Sequence, residues 1–338
     1  MGECPRDEET AMTEPGWSRE ESPFHAGEIA IQERLGVRDR IDRQGRRAIR
    51  DYLPKQHRQF YAQLPFLIAG TADAYGRPWA SLLVGARGFL STPDECTLRV
   101  ATRPLFGDPL SETLFDGVDI GLLGIELHTR RRNRMNGTVT ANGPDGFAIK
   151  VGQSFGNCPQ YIQARMFELT NGADDLATPK PLHRIEVFGE PERAMIAASD
   201  TFFIATAFHG DEASAAKGVD VSHRGGKPGF VRIDDDHTLT FPDFVGNFYF
   251  NTIGNLALDP RAGLLFVDFD RGNLLYLTGT AEVVWEGDEI RAFAGAERLI
   301  RFHISDGRRV EGGLPLRWSA PDYSPLLERT GSWEEAAR

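Results

Sequence analysis

Along most of the chain, apolar positions come in short alternating runs broken by glycine and proline, a pattern of strands and tight turns. Phe66-Leu-Ile-Ala-Gly-Thr-Ala-Asp, a turn at Ala74-Tyr-Gly-Arg-Pro and Trp79-Ala-Ser-Leu-Leu-Val-Gly predict a β-hairpin. Further strands are predicted at 96–101, 120–127, 134–141 and 147–152, with one short helix at 109–115. Upstream the period changes. Ile29, Ile31, Leu35, Val37 and Ile41, then Ile49, Tyr52 and Leu53, predict two short helices split near Gly36 or Gly45. Residues 1–24 are polar and acidic, contain Pro5 and Pro15, and are predicted to be a disordered tail.

The second half repeats the first. Gly121-Leu-Leu-Gly-Ile-Glu-Leu-His aligns with Gly263-Leu-Leu-Phe-Val-Asp-Phe-Asp at an offset of 142 residues. The same offset carries Asn136-Gly-Thr-Val onto Thr278-Gly-Thr-Ala, Gly76 onto Gly218, Leu110 onto Thr252 and Leu114 onto Leu256. The opening strands match at an offset near 136, Phe66-Leu-Ile-Ala against Phe202-Phe-Ile-Ala, and a longer loop beginning at Asp211 absorbs the difference. An ordered series of matches predicts a duplication. Many strands with one short helix per copy point to a mainly β fold, a small antiparallel barrel in each copy. The expected organisation is a helical segment at 25–60, a first repeat at 61–170, a linker at 171–190, a second repeat at 191–320 and a tail at 321–338.

Composition narrows the function. The 338 residues carry a net charge of −11, which argues against a general nucleic-acid binder. The three cysteines form no CxxC pair, which argues against a zinc knuckle, an iron–sulfur site or a disulfide framework, and no metal site is expected. No apolar run approaches the roughly 18–20 residues that span a bilayer, and the N-terminus has no signal-peptide pattern. A soluble, cytoplasmic protein without membrane or nucleic-acid partners is the expectation.

The densest polar cluster lies in the second copy, Gly218-Val-Asp-Val-Ser-His-Arg-Gly-Gly-Lys-Pro-Gly. Ser222, His223, Arg224 and Lys227 sit there beside glycines whose N–H groups can approach an anion. Further on, Asp243, Asn247, Asn251, Thr252 and Asn255 lead into a predicted helix start, where free N–H groups bind phosphate. Alone, Asn251-Thr252 reads as a cap and a turn, but one phosphate site would explain both clusters. The first copy has Pro109 and Leu110 at those positions. It carries instead a basic run, Arg130, Arg131, Arg132, Asn133 and Arg134, and the polar residues Gln153, Ser154 and Asn157. The basic run is either a solvated face or a pocket for an anionic group. Cys158 before proline reads as a packed apolar residue, and His223 as a proton donor or a phosphate-side donor.

Together, Ser222-His-Arg-Gly-Gly, Leu239-Thr-Phe-Pro-Asp-Phe-Val-Gly-Asn, Thr252-Ile-Gly-Asn-Leu-Ala-Leu-Asp-Pro-Arg-Ala-Gly-Leu-Leu-Phe and Leu277-Thr-Gly-Thr-Ala-Glu-Val resemble the FMN-binding split-barrel proteins related to pyridoxamine 5′-phosphate oxidase. The resemblance covers most of residues 57–320, is strongest over 202–286, and points to long members with two repeats. It implies two tandem FMN-binding split β-barrel repeats and an FMN cofactor. It also implies that the interface usually formed by two subunits lies here within one chain. Arg224, Lys227, Asn251 and Thr252 would then grip the phosphate, with Ser222, His223, Asp243, Asn247 and Asn255 around it. Arg130–Arg132, Asn133, Gln153, Ser154 and Asn157 would cover the flavin, and one FMN would bind per chain. Phe250-Asn-Thr stands where the oxidase has Ser-Arg-Lys, and its substrate contacts cannot be placed, so oxidation of pyridoxamine phosphate is not expected. An FMN-dependent oxidoreductase acting on a small molecule and an electron-transfer module served by a partner reductase both stay open. So do haem or a deazaflavin in place of FMN. A homodimer is the expected assembly.

Overall fold

The computed structural model describes residues 16–170, 176–210 and 214–337. Two helices, α1 (Ala26–Arg34) and α2 (Arg38–Ala48), split at Gly36, whose φ of +65° suits glycine, and α3 (Lys55–Gln63) follows. The first sheet then forms from β1 (Phe66–Ala72), β2 (Pro78–Val84), β3 (Leu90–Asp94), β4 (Thr97–Val100), β5 (Asp119–Glu126), β6 (Arg131–Gly143) and β7 (Gly146–Asn157). Helix α4 (Leu110–Thr113) lies between β4 and β5. The short strands β8 (Phe167–Leu169) and β9 (Leu182–Ile185) and helix α5 (Glu190–Ala198) lead to the second sheet. Its strands are β10 (Thr201–Phe208), β11 (Gly218–Gly225), β12 (Arg232–Ile233), β13 (Thr238–Phe244), β14 (Arg261–Val267), β15 (Leu274–Val284) and β16 (Ala296–Val310). Helix α6 (Asn251–Leu258) precedes β14, and β17 (Leu316–Trp318) pairs with β8.

The protein is thus mainly β with short helices, as the pattern of apolar runs predicts. The first sheet has the order β2-β1-β5-β6-β7-β4-β3 and the second β11-β10-β14-β15-β16-β13-β12, which is the same order counted from each first strand. The registers also correspond. Ile68 faces Leu123 and Leu123 faces Arg134 in the first sheet, and Phe203 faces Leu265 and Leu265 faces Tyr276 in the second. One hydrophobic core lies in each half, and a third, joining Ile68, Leu123 and Ile125 to Phe203, Val221 and Leu265, fills the space between them.

Glycine sets how closely the halves approach. A Cβ on Gly121 in β5 would stand 2.2 Å from the carbonyl oxygen of Val219, and one on Gly263 in β14 would stand 2.3 Å from that of Pro78. Each half therefore lays a glycine on the start of the other's β11 or β2, in a reciprocal arrangement.

Several expectations need correction. Residues 16–24 are not a disordered tail: Trp17 and Phe24 are buried with Ile41, Ile49, Phe155 and Tyr249, and Trp17 N donates to the Arg46 carbonyl at 2.8 Å. Residues 1–15 lie outside the described residues. Part of the segment read as linker is strand β9, paired with β16 from Ile185↔Gly307 to Leu182↔Val310. The C-terminal segment also packs, with Trp333 Nε1 donating to the Phe230 carbonyl at 2.9 Å. Cys96 is disulfide-bonded, which the cysteine spacing did not suggest, whereas Cys158 is free. Among the described residues no helix is long and apolar enough to cross a membrane.

The reciprocal glycine contacts give a direct test. Gly121→Ala or Gly263→Ala meets a backbone carbonyl that no rotamer change can move, so each is expected to cost at least about 1–3 kcal/mol in chemical denaturation. Gly143→Ala, whose Cβ would meet nothing nearer than 4.0 Å, is expected to stay within about 0.5 kcal/mol.

Candidate functional site

A partly open cleft with about 100 Å³ of accessible space lies where β11, the segment after β13 and the first turn of α6 meet β6 and the end of β7. Its wall carries Arg132, Arg134 and Arg224, and among the described residues one carboxylate, Asp243. A second lobe of about 60 Å³ adjoins it, sharing Arg132, His223, Arg224 and Phe244, and adds Tyr161 and Gln160.

Strand alternation explains which side chains arrive here. In β6, Arg132, Arg134 and Asn136 face the second half, while Met135 enters the core of the first. Arg134, 3% exposed, donates through Nη1 to Asp220 at 3.0 Å and through Nη2 to the Ser222 hydroxyl. Asn136 Nδ2 donates to the same Asp220 carboxylate at 2.8 Å. Asn255 Nδ2 donates to its other oxygen and to Thr206 Oγ1, both at 3.0 Å, which ties α6 to β10 and β11. Thr252 Oγ1 meets Ser222 Oγ at 3.1 Å. Buried charges need this degree of pairing.

The start of α6 is open. Phe250 precedes it with φ +65° and no side-chain cap bond, so no cap residue takes up its leading N–H groups, and Asn251, Thr252 and Ile253 of this first turn line the cleft. Phe248 also has a positive φ, +63°, and two bulky residues in that region are strained. Asn247 braces the turn: its Oδ1 accepts from Tyr249 N and its Nδ2 donates to Asn157 Oδ1, each at 3.1 Å. From behind, the Glu28 side chain accepts from Asn251 Nδ2 and from His25 N. Burial and then Asp220 push the Glu28 carboxyl well above the usual range.

The cationic wall is only partly neutralised. Arg224 pairs with Asp243 at 3.0 Å, and Arg298 reaches the other oxygen of Asp243 at 3.2 Å. Arg132 donates through Nε to the Cys158 carbonyl at 2.7 Å and makes no ion pair among the described residues. Burial, then Arg134, lowers its pKa to about 10, with Arg224 adding to the effect. His223 is 4% exposed, and its Nε2 has no partner. Burial, then Arg132, Arg224 and Arg165, hold its pKa well below 6.5, so the ring is neutral at neutral pH.

Of the residues singled out in the sequence, Ser222, His223, Arg224, Asp243, Asn247, Asn251, Thr252, Arg132 and Asn157 line the cleft. Asn255 lies beneath it. The others are not brought there. Lys227 faces Glu335 at 3.5 Å, and Arg130 turns to Asp322 and the Ile162 carbonyl. Arg131 lies over Phe60, and Asn133 lies on the same outward side of β6, its carbonyl accepting from Tyr61. Gln153 donates to the Pro23 carbonyl at 2.8 Å and Ser154 to that of Tyr52 at 2.6 Å, fixing the N-terminal segment. The sequence pattern placed Arg134 only in the basic run, without a role at the flavin, and did not single out Phe248, Phe250 or Tyr161 as site residues. Alternation from Arg132 would have found Arg134.

No family model matches the chain, and no curated protein matches it. Solved structures do. A candidate pyridoxamine 5′-phosphate oxidase from Lactobacillus delbrueckii is 13% identical, with 36% of this chain and 93% of that one covered and a TM-score of 0.29. HupZ of Group A Streptococcus is 18% identical, with 35% and 89% covered and a TM-score of 0.28. A candidate pyridoxamine 5′-phosphate oxidase from Corynebacterium glutamicum is 12% identical, with 39% and 99% covered and a TM-score of 0.26. Likenesses this remote carry no functional weight, and the chemistry of the cleft is read from its own residues.

The neutral His223 predicts an acid-side loss of stability. Its folded pKa lies below its unfolded value of about 6.5, so its contribution is present above that pH and is lost as the pH falls below it. His223→Gln is expected to show a flatter stability profile below about pH 6.5 in denaturant titrations. Some slope remains, because His25 and His57, both lowered to about 4, titrate in the same direction.

Proposed function

We propose that the chain is an FMN-dependent oxidoreductase built from two fused split-barrel repeats, with one FMN site at their junction. One observation carries this reading: three arginines and the open start of α6 converge on a single cleft whose wall bears one carboxylate. Such a donor set favours a phosphate monoester, which offers several acceptor oxygens and about −1.5 to −2 charges at neutral pH. The fit to FMN is supported by orphaned polar atoms around the cleft, His223 Nε2, Arg134 Nε, Arg224 Nε and Asn255 Oδ1, in a wall that also offers Phe244, Phe248 and Tyr161 to a planar ring. The identical strand order and reciprocal glycine contacts support the fused-repeat reading.

In this reading Ser222, Thr252 and the leading N–H groups of α6 hold the phosphate, and Arg134, paired with Asp220, positions the Ser222 hydroxyl. Arg132 and Arg224, from opposite halves, keep negative charge favourable across both lobes. Bound FMN supplies the centre that accepts and returns hydride or electrons, and the protein supplies orientation and electrostatics. His223, neutral and unpaired, offers a hydrogen bond at the junction of the lobes. The enzymatic reading, rather than a carrier served by a reductase, is supported by that second lobe, which places His223, Gln160 and Tyr161 next to the cleft.

Heat release from purified protein is expected to yield FMN at one per chain. Two per chain, or a colourless protein that takes up no added FMN, would refute the reading. Turnover of NAD(P)H with an artificial acceptor supports the enzyme; flavin reduced only through a partner reductase supports the carrier.

Arg132→Met should separate binding from folding. Because Arg132 sits among like charges without an ion pair, its removal is expected to leave denaturant stability unchanged or raised. Loss of a charge-assisted contact, about 1.5–3 kcal/mol, is expected to raise the FMN dissociation constant at least about tenfold in fluorescence titrations.

A further inference from the structure

The corresponding strand orders imply a second position, on the opposite side of the interface between halves, built from the counterparts of the cleft residues. The ladders identify them. Ser81 faces Ala69 next to the Ile68 rung, as Ser222 faces Ile204 next to the Phe203 rung. Arg134 and Tyr276 occupy the same rung of their sheets, each opposite the corresponding leucine, Leu123 or Leu265. The tie between short helix and first strand is also kept: Thr71 Oγ1 and Thr113 Oγ1 are 2.6 Å apart, where the second half has Thr206 and Asn255 at 3.0 Å. The counterpart of the cleft therefore lies between Ser81-Leu82 on β2 and Leu110 on α4, with Tyr276 reaching in from the other half, as Arg134 does at the cleft.

That position is filled by a side chain of the protein. Asp108 is fully buried there. Its Oδ2 accepts from Leu82 N at 3.2 Å and its Oδ1 from Leu110 N at 2.8 Å, bridging strand and helix. The Ser81 hydroxyl and Tyr276 phenol lie beside the carboxylate and favour its charge, although neither hydroxyl meets it in hydrogen-bonding geometry. By the same correspondence, Leu82 N answers to His223 N and Leu110 N to Thr252 N, on the two walls of the cleft. Asp108 itself answers to Phe250, which offers no carboxylate.

We propose that this counterpart is a latent anion site closed from within, the Asp108 carboxylate standing where the cleft between β11 and α6 receives the anionic group of its ligand. The inference rests on the reading of that cleft as an anion site and extends it to explain why the second position takes no ligand. Burial pushes the Asp108 carboxyl up to about 6 against the pull of its donors, so at pH 8 the group is ionised. An external carboxylate should then replace it once the side chain is removed.

The test uses the full chain, comparing Asp108→Ala with wild type in thermal melts at pH 8 with rising sodium acetate, against sodium chloride at equal ionic strength. The variant is expected to melt below wild type and to regain several degrees from acetate saturably, a gain specific to acetate and larger than any in wild type. Asp108→Asn, which keeps the volume filled, should show no such excess. Equal acetate-specific gains in Asp108→Ala and wild type, or none in either, overturn the proposal. If Asp108→Ala is recovered only as aggregate, its refolding yield in acetate against chloride is read in the same way. FMN binding to wild type is a separate measurement. Acetate rescue without FMN binding keeps the internal stand-in and removes the flavin reading, whereas one FMN per chain without rescue does the reverse.

Discussion

The structure depends on two sheets lying back to back closely enough for a strand of one to rest on the backbone of the other. Gly121 and Gly263 make that approach, each against a carbonyl oxygen of the opposite half. Such contact is possible only where both partners present backbone, since any Cβ would stand well inside van der Waals distance. The shared core formed from β1, β5, β10 and β14 then excludes water from the seam. A side chain that crosses it, such as Arg134, is removed from solvent and must find its partners on the far side. The site is a consequence of how the seam is packed.

The two ends of that seam show opposite solutions to one electrostatic problem. At the cleft, positive charge exceeds negative: Arg134 is matched by Asp220, and Arg224 and Arg298 share Asp243, which leaves Arg132 with only a carbonyl. Three guanidiniums near one another in a partly buried wall repel, and that repulsion adds to burial in lowering the pKa of Arg132. At the other end an internal carboxylate sits among neutral donors, and Tyr276 replaces the cross-seam arginine. One end carries an excess of positive charge, and the other holds a carboxylate of its own. Two halves of the same strand order thus differ in the side chains they carry on matching rungs.

The fold was largely legible in the sequence because its determinants are local. Alternating apolar runs and glycine turns mark β1, β2, β5, β6 and β7 to within a few residues, and the 142-residue offset reappears in the ladders as Leu123↔Arg134 and Leu265↔Tyr276. The site was legible where its residues lie near one another in sequence, as Ser222, His223 and Arg224 do, and as Asn251 and Thr252 do. It was not legible where a side chain's direction decides. Arg130, Arg131 and Arg132 read alike as a basic run, yet only Arg132 points across the seam, because strand geometry sends its neighbours elsewhere. Gln153 and Ser154 look like polar site residues, but their backbone partners are Pro23 and Tyr52, over a hundred positions upstream, and no local pattern announces such a contact.

The same long-range contacts explain why the N-terminal segment belongs to the site without lining it. Helix α6 leads with strained residues, Phe248 and Phe250, and has no side-chain cap, so its own first turn does not hold its orientation. The support comes from α1. Gly27 and Gly254 let the two helices cross backbone to backbone, a Cβ on Gly27 standing 2.1 Å from the Gly254 carbonyl. At that crossing Glu28 bonds Asn251, while Tyr249 between the strained residues is buried against Phe24 and Phe155. Arg40 lies over Phe248 and Arg298 over Phe250. An uncapped helix start exposes its N–H groups to a ligand only if something other than a cap fixes it, and here a helix more than two hundred residues away in sequence does so.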